Sequence, residues 1–194
     1  KDLDHDIKEI LDESFAAVKR IQDLASEFLQ YLQPIDERRS KVNITNILKQ
    51  VQGNSTLKNK CTIELSIDEQ ANEIWAHKSG LQWVFEELLQ NAIKHRKKDP
   101  FLKIIVKAKM DNKDLIISFQ DNGTGIPEHI QNKIFDPFFS EDRNSGTGLG
   151  LTNIKKIIEE NGGIVYLDNS YNDGASFIIK FSDIQKMKGN NIHE

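Results

Sequence analysis

Three short segments of the sequence carry side chains that could do chemistry, in the order Glu87–His95, Asp121–Gly125 and Ser145–Leu151. The middle segment opens with Asp121, directly after an apolar, strand-like run. We therefore expect its carboxylate at a sheet edge, where it could accept a hydrogen bond from the exocyclic amine of adenine. The alternative is a turn cap, since Asp often accepts hydrogen bonds from the backbone amides that follow it.

Asn91 stands inside a predicted helix, where Asn is a poor helix former. Its side-chain carbonyl could join an oxygen-rich Mg²⁺ shell completed by phosphates and water, or it could face solvent or bond back to the backbone. The spacing places Glu87, Asn91 and Lys94 on one stripe of the helix. Lys94 could donate to a phosphate oxygen, and Glu87 could order metal-bound water or polarise an attacking nucleophile. The alternative for both is a solvated helix face.

Alternating glycines, Gly146, Gly148 and Gly150, lead into a predicted helix over 151–160. Glycines before a helix N-terminus offer amide donors and a favourable dipole to an anion, so they predict a phosphate cradle. It is neither a P-loop, since no Gly-Lys-Ser/Thr follows, nor a Rossmann fingerprint, since no strand immediately precedes it. Upstream, Phe135–Phe139 and the polar loop 140–145 would suit a mobile lid over a nucleotide. The alternative is an ordinary hydrophobic cluster.

The N-terminal part of the chain has a heptad pattern that predicts one long amphipathic helix. Its seam consists of Leu3, Ile7, Ile10, Ser14, Ala17, Ile21, Leu24, Phe28 and Tyr31. A second row at steps of seven widens the apolar face, which favours a helical bundle over a two-stranded coil. The alternative is a helix packed on its own globular domain. Pro34 ends the helix, and residues 35–43 are predicted to form a polar linker.

The rest of the chain alternates between helical and strand-like patterns. Helices are predicted over 44–51, 81–97 and 151–160, and strands around 63–67 and over 102–110, 114–120, 163–167 and 175–181. Turn residues at 111–113 and 172–174 predict two β-hairpins. This order predicts an α+β fold, an α/β sandwich in which helices cover one face of a mixed sheet, preceded by the long helix.

Composition narrows the function classes. A formal net charge of -4 gives no sign of a nucleic-acid partner or a polybasic membrane anchor. The single cysteine, Cys61, lies in an alternating run and is predicted to be a packed strand residue. No apolar stretch approaches the roughly 20 residues of a membrane span. We expect a cytoplasmic location and no membrane segment in this stretch, and we leave open an anchor upstream of Lys1.

Taken together, residues 44–182 resemble the catalytic and ATP-binding domain of bacterial two-component sensor histidine kinases, in the gyrase, Hsp90, histidine-kinase and MutL superfamily. Glu87–His95 is similar to the N box of that family, Asp121–Gly125 to the G1 box, Phe135–Phe139 to the F box and Gly146–Leu151 to the G2 box. The resemblance implies a Bergerat-type sandwich. It also implies that ATP and Mg²⁺ are the cofactors and that Asp121 reads adenine, Asn91 holds Mg²⁺ and Lys94 touches phosphate.

The predicted site follows from these motifs. Glu87 and Lys94 are the predicted catalytic residues, and Asn91 is the predicted Mg²⁺ ligand. The predicted nucleotide-binding residues are Asn91, Lys94, His95, Asp121, Gly123, Gly125, Ile126, Phe138, Arg143, Gly146, Thr147, Gly148, Leu149, Gly150 and Ser176. The predicted domain organisation is a dimerisation helix over 1–34, a linker over 35–43, an ATP-binding catalytic domain over 44–184 and a polar tail over 185–194.

The sequence departs from the family pattern in two ways. Glu87 stands where many histidine kinases have Asn, which leaves the fate of the γ-phosphate open. No His-Glu-Leu-Arg-x-Pro phosphoacceptor box is present, and His5 is better explained as a surface helix residue. Residues 2–33 resemble only the second helix of the dimerisation hairpin, which pairs with its dimer mate in a four-helix bundle. We therefore expect the acceptor His to lie outside this segment.

The resemblance predicts an ATP-dependent protein-histidine kinase module that supplies the ATP γ-phosphoryl group to a His, for relay to a response-regulator Asp. Its expected partners are ATP or ADP, a second copy of the chain and a response-regulator receiver domain. Two alternatives stay open: a non-catalytic module that senses nucleotide or binds a partner, and an ATPase of the gyrase and Hsp90 kind.

Overall fold

The computed structural model describes residues 3–32, 38–53, 61–97, 101–141 and 147–184. The chain divides into two compact units. The first contains the described residues within Lys1–Pro34 and Ile134–Asn153, and the second those within Ile35–Lys133 and Ile154–Glu194. The segment 134–153 of the predicted catalytic domain thus groups with the N-terminal helix, and the predicted tail, 185–194, lies outside the described residues.

Helix α1 of the first unit spans Leu3–Leu32, as the heptad pattern predicts. Large apolar side chains along it are exposed, from 38% at Leu24 to 77% at Phe15. A row of exposed apolar side chains at heptad spacing is typical of a helix that packs in a bundle. No helix in the described part of the chain is long and apolar enough to span a membrane.

The second unit is built on a five-stranded mixed sheet with the order β2-β4-β5-β7-β6. Strand β2 pairs in parallel with β4, and the other neighbours are antiparallel. The strands are β2 (Cys61–Ile67), β4 (Leu102–Asp111), β5 (Asp114–Asp121), β6 (Gly163–Leu167) and β7 (Ser176–Phe181). The β4–β5 and β6–β7 hairpins lie where the turn residues predict them.

One face of this sheet is buried because apolar residues alternate with polar ones. Ile104 and Val106 of β4 are fully buried, whereas Lys103 and Lys107, which flank them, are exposed. The core is completed by the apolar sides of the helices α2 (Ile44–Gly53), α3 (Lys78–Lys94) and α4 (Gly150–Glu160). Short 3₁₀ helices lie at Glu69–Ala71 and Glu128–Ile130. The predicted fold class, an α/β sandwich with helices on one face of a mixed sheet, is confirmed.

The predicted linker over 35–43 is partly a strand. Residues Ser40–Asn43 form β1, which pairs antiparallel with β3 (Glu73–Ala76) in a separate two-stranded sheet. Only Val42 of the four β1 residues is buried, so the alternation is too short to be recognised in the sequence. The guanidinium of Arg39, in the same predicted linker, donates a hydrogen bond to the Glu160 carbonyl oxygen and ties this segment to the end of α4.

Candidate functional site

Asp121 is the last residue of β5 and is only 5% exposed. Its Oδ1 accepts hydrogen bonds from the backbone N–H of Gly123 at 2.7 Å and of Ala175 at 3.2 Å. Among the residues that the structure describes, no donor reaches its Oδ2. The turn cap, which the sequence left open as an alternative for Asp121, is therefore present, but it involves only Oδ1. The other oxygen is an acceptor held in a fixed orientation.

Burial raises the pKa of Asp121, since desolvation disfavours the charged carboxylate. The two backbone hydrogen bonds and the nearby His95 and Lys97 lower the same pKa and partly offset the burial. Burial also raises the pKa of Tyr171, with further contributions from the negative charges of Asp173 and Asp121. The side chains of His95, Lys97 and Tyr171 therefore lie within electrostatic reach of the Asp121 carboxylate.

The loop between β6 and β7 passes directly against the end of β5. Gly174 makes this approach: a Cβ at that position would lie 2.1 Å from the Asp121 carbonyl oxygen and 2.8 Å from the Gly123 nitrogen. Both atoms belong to the backbone and cannot move aside cheaply. The next residue, Ala175, supplies the second hydrogen bond to the Asp121 carboxylate. Gly174 thus allows a distant segment to position the acceptor.

Replacing Gly174 with Ala is expected to lower the free energy of unfolding by roughly 1–3 kcal/mol, the usual cost of inserting a side chain into packed surroundings. The variant should also bind nucleotide more weakly, because the Ala175 N–H moves away from Asp121. Chemical denaturation and nucleotide titration measure the two effects. Gly53→Ala is the matched control, because a Cβ there has nothing within 4 Å. Wild-type stability in Gly174→Ala would contradict the close approach.

Glu87 and Asn91 lie side by side on α3, both partly buried. The Asn91 Nδ2 donates to Glu87 Oε1 at 3.5 Å, a long hydrogen bond. The amide nitrogen is therefore turned toward Glu87, and the Asn91 Oδ1 receives no donor from the described part of the chain. An uncompensated amide oxygen beside a carboxylate fits the oxygen ligands that Mg²⁺ prefers. Lys94, in the last turn of the helix, is exposed.

Backbone hydrogen bonds connect the end of α3 to the loop that follows Asp121. The His95 N–H donates to the Asn91 carbonyl oxygen at 3.0 Å, and the His95 carbonyl oxygen accepts from the Thr124 N–H at 2.9 Å. The loop continues through Gly125, at a φ of 74°, to Ile126, whose carbonyl oxygen accepts from Gln131 Nε2 at 2.9 Å. The structure thus brings the predicted N-box and G1-box segments together within the second unit.

Ser176, the first residue of β7, is 1% exposed, and its Oγ has no hydrogen-bond partner among the described residues. A buried hydroxyl without a partner is costly, and an ordered water or a ligand commonly supplies the missing bond. Because Ser176 follows Ala175 directly, this hydroxyl lies one residue from the backbone that holds Asp121. Its role in nucleotide binding stays a prediction.

In the first unit, the predicted F-box and G2-box segments are joined through their backbones. The Phe138 N–H donates to the Gly148 carbonyl oxygen at 3.0 Å, and a Cβ on Gly148 would lie 2.5 Å from the Phe138 carbonyl carbon. Gly148 has a φ of 74° and Phe138 a φ of 62°, which is rare for an aromatic residue. Phe138 is 61% exposed, and its ring centroid lies 6.5 Å from that of Phe28 in α1. Only glycine has room at position 148 for this close approach of the two backbone segments.

The structure describes some of the other predicted residues of the G2-box segment and not others. Thr147 Oγ1 accepts from the Leu149 N–H at 3.2 Å, and Gly150 begins α4. Leu149 is fully buried, so its side chain packs in the interior. Arg143 and Gly146 lie outside the described residues. The sequence reasoning missed Gly174 and Ala175 because the Asn-Asp-Gly signal at 172–174 indicated only a turn.

Comparison with known proteins gives concordant results. The family model described as "Histidine kinase-, DNA gyrase B-, and HSP90-like ATPase" matches residues 76–185. A curated relative, the signal transduction histidine-protein kinase ArlS of Staphylococcus aureus, is 31% identical over an alignment of 185 residues that covers 90% of this chain and 41% of ArlS. The chain therefore spans less than half the length of this relative.

Solved structures agree. The catalytic domain of the histidine kinase ThkA, in a nucleotide-free form, is 26% identical with a TM-score of 0.65, and the match covers 75% of this chain and 96% of that domain. ThkA in complex with the response regulator protein TrrA is 22% identical with a TM-score of 0.71, and covers 93% of this chain and 52% of that one. At this identity the second likeness shows the fold alone.

Proposed function

Because the chain belongs to the histidine kinase-, DNA gyrase B- and HSP90-like ATPase family, we propose that it is the ATP-binding catalytic module of a sensor histidine kinase. In this proposal it supplies the ATP γ-phosphoryl group to a His outside this segment, for relay to an Asp of a response regulator. The name of its relative ArlS, a signal transduction histidine-protein kinase, supports this function. ThkA, whose catalytic domain is 26% identical to this chain, is found in complex with the response regulator protein TrrA, and by analogy a receiver domain is the partner in this proposal.

The observation that carries the proposal is the state of the Asp121 carboxylate. One of its oxygens is fixed by two backbone N–H groups, and no described donor satisfies the other, although the residue is 5% exposed. A fixed, buried acceptor selects a ligand that presents a donor, and the exocyclic amine of adenine does so. We assign Asp121 as the adenine reader, with Ser176 as a neighbouring polar contact.

The stripe on α3 would serve the phosphate end of the nucleotide. Asn91 Oδ1 would hold Mg²⁺, which when bound would neutralise the charge that develops on the transferred phosphoryl group. Lys94 would donate to a phosphate oxygen. Glu87 would orient or deprotonate the attacking group. Phosphoryl transfer depends on positioning and electrostatic stabilisation, which is what these three side chains can offer.

Replacing Asn91 with Ala is expected to weaken nucleotide binding about tenfold in Mg²⁺ and by less than about twofold in EDTA, because the amide oxygen would be lost as a metal ligand rather than as a nucleotide contact. Titration of a fluorescent ATP analogue in both buffers measures this. Gln90→Ala, an exposed neighbour on the same helix, is the control and should bind like wild type. An equal loss in both buffers would make Asn91 a structural residue.

The proposal also concerns how the chain assembles and which reaction it carries out. The exposed apolar row of α1 supports a homodimer through a helical bundle, and the same row would serve a partner-binding module without catalysis. Glu87 beside Asn91 also fits water activation, so an ATPase of the gyrase and Hsp90 kind is the second candidate. Labelled phosphate on a supplied acceptor helix favours the kinase; release of inorganic phosphate alone favours the ATPase.

A further inference from the structure

Two buried asparagines at opposite ends of α4 have opposite hydrogen-bonding states. Asn161, just after the helix, is fully buried and satisfied at both ends of its amide: Oδ1 accepts from the His77 N–H at 2.7 Å, and Nδ2 donates to the Ile157 carbonyl oxygen at 2.8 Å. Asn153, in the first turns of the helix, is 3% exposed. Neither its Nδ2 nor its Oδ1 has a partner within the described ranges.

An unsatisfied carboxamide at Asn153 needs a physical reason. Buried polar side chains are nearly always hydrogen-bonded, because removal from water without a replacement partner is costly. Packing alone would favour an apolar residue, as at the neighbouring Ile154, which is fully buried. Asn161 shows that the same helix can satisfy a buried amide completely. Asn153 therefore has the properties of a group whose partner is an absent ligand.

The place of Asn153 identifies the chemistry of that ligand. It follows Gly150–Thr152, the start of α4, where backbone N–H groups lack intrahelical acceptors and the helix dipole favours an anion. Side chains of a helix tilt toward its N-terminus, so we expect the Asn153 carboxamide to lie over this first turn. Its Nδ2 adds a buried donor to a set of donors that suits a phosphate oxygen.

We propose that Asn153 is a nucleotide-binding residue whose Nδ2 donates to a phosphate oxygen and whose Oδ1 accepts from a water that hydrates the same phosphate. The proposal rests on the nucleotide-binding function proposed above. It explains why both ends of the amide lack partners in the protein: Nδ2 needs an acceptor and Oδ1 needs a donor, and a hydrated phosphate provides both.

The test compares Asn153→Leu with Asn161→Leu, for ADP affinity by calorimetry and for the unfolding temperature without nucleotide. In Asn153→Leu we expect ADP binding to be about tenfold weaker and the unfolding temperature to rise by about 2–4 °C, because a costly buried amide is replaced by an apolar side chain. In Asn161→Leu we expect the unfolding temperature to fall and ADP affinity to stay within about twofold of wild type. Asn153→Ala should repeat the loss of affinity.

Unchanged ADP affinity in both Asn153 variants, with a wild-type chain that binds ADP, would overturn this inference alone. A lower unfolding temperature in Asn153→Leu, with unchanged affinity in Asn153→Ala, would also overturn it and make the amide structural. A wild-type chain that binds no ADP would overturn the proposed function together with this inference. Weaker ADP binding by a more stable Asn153→Leu chain supports it.

Discussion

Replacement of Glu87 with Gln is expected to leave nucleotide affinity unchanged and to lower turnover by about 100-fold, the usual scale for a group that orients or deprotonates a nucleophile. The carboxylate lies one helical turn before Asn91 and accepts a hydrogen bond from its amide. Gln has the same size and keeps an oxygen for that hydrogen bond, but it cannot take up a proton. Binding and chemistry should therefore separate in this variant.

Turnover is best followed both as ATP hydrolysis and as transfer of labelled phosphate to a supplied acceptor helix. Glu86→Gln is the matched control: Glu86 is also partly buried on α3, but its Oε1 accepts from Gln82 Nε2 at 3.0 Å and it lies off the Glu87 stripe. That variant should turn over like wild type. Unchanged turnover in Glu87→Gln would make Glu87 a residue of a solvated helix face.

Local patterns predicted most of the secondary structure. Alternating burial of β4 and β5 and the turn between them, with Asn112 at a φ of 55°, follow directly from the sequence. The beginning of α3 was less predictable: the apolar period indicated a start at 81, whereas the helix begins at Lys78. The residue before it, His77, makes no side-chain cap hydrogen bond, so the usual start signal is missing.

Features that depend on distant segments could not be predicted. The parallel pairing of β2 with β4 and the place of β7 between β5 and β6 are set by packing of the whole sheet. Likewise, the place of Asp121 at the end of a strand was predictable, but its hydrogen bond from Ala175 joins residues separated by 54 positions. The buried, unsatisfied state of Asn153 also requires the structure, since its helical pattern shows nothing unusual.

Replacement of Asp121 with Asn is expected to weaken ADP binding by roughly 1.5–3 kcal/mol, about 10- to 150-fold, the range for a charge-assisted hydrogen bond. Asn keeps an oxygen for the N–H groups of Gly123 and Ala175, so the loop geometry should persist. In the variant an NH₂ group replaces the second carboxylate oxygen, so this donor faces the exocyclic amine of adenine, which is also a donor. Asp114→Asn, at the other end of β5, is the control and should bind ADP normally.

Acidification should reproduce this loss in the wild-type chain. Because the pKa of Asp121 is raised, its carboxylate is protonated at a higher pH than an exposed Asp, and the affinity for ADP falls there. The effect on folding has the opposite sign. Because the folded-state pKa of Asp121 lies above its unfolded-state pKa, protonation of Asp121 stabilises the fold. This contribution is fully present below the unfolded-state pKa and is lost as the pH rises through the folded-state pKa. Asp121 protonation therefore weakens binding without destabilising the nucleotide-free protein.

The most direct test of nucleotide recognition by Asp121 is an ADP titration of the wild-type chain and of Asp121→Asn by calorimetry, at neutral pH and at successively lower pH. We expect tight binding by the wild-type chain at neutral pH, a decline as Asp121 becomes protonated, and weak binding by Asp121→Asn with no corresponding decline. Equal affinities of the two proteins, or parallel pH profiles, would contradict the assignment of Asp121 as the adenine reader.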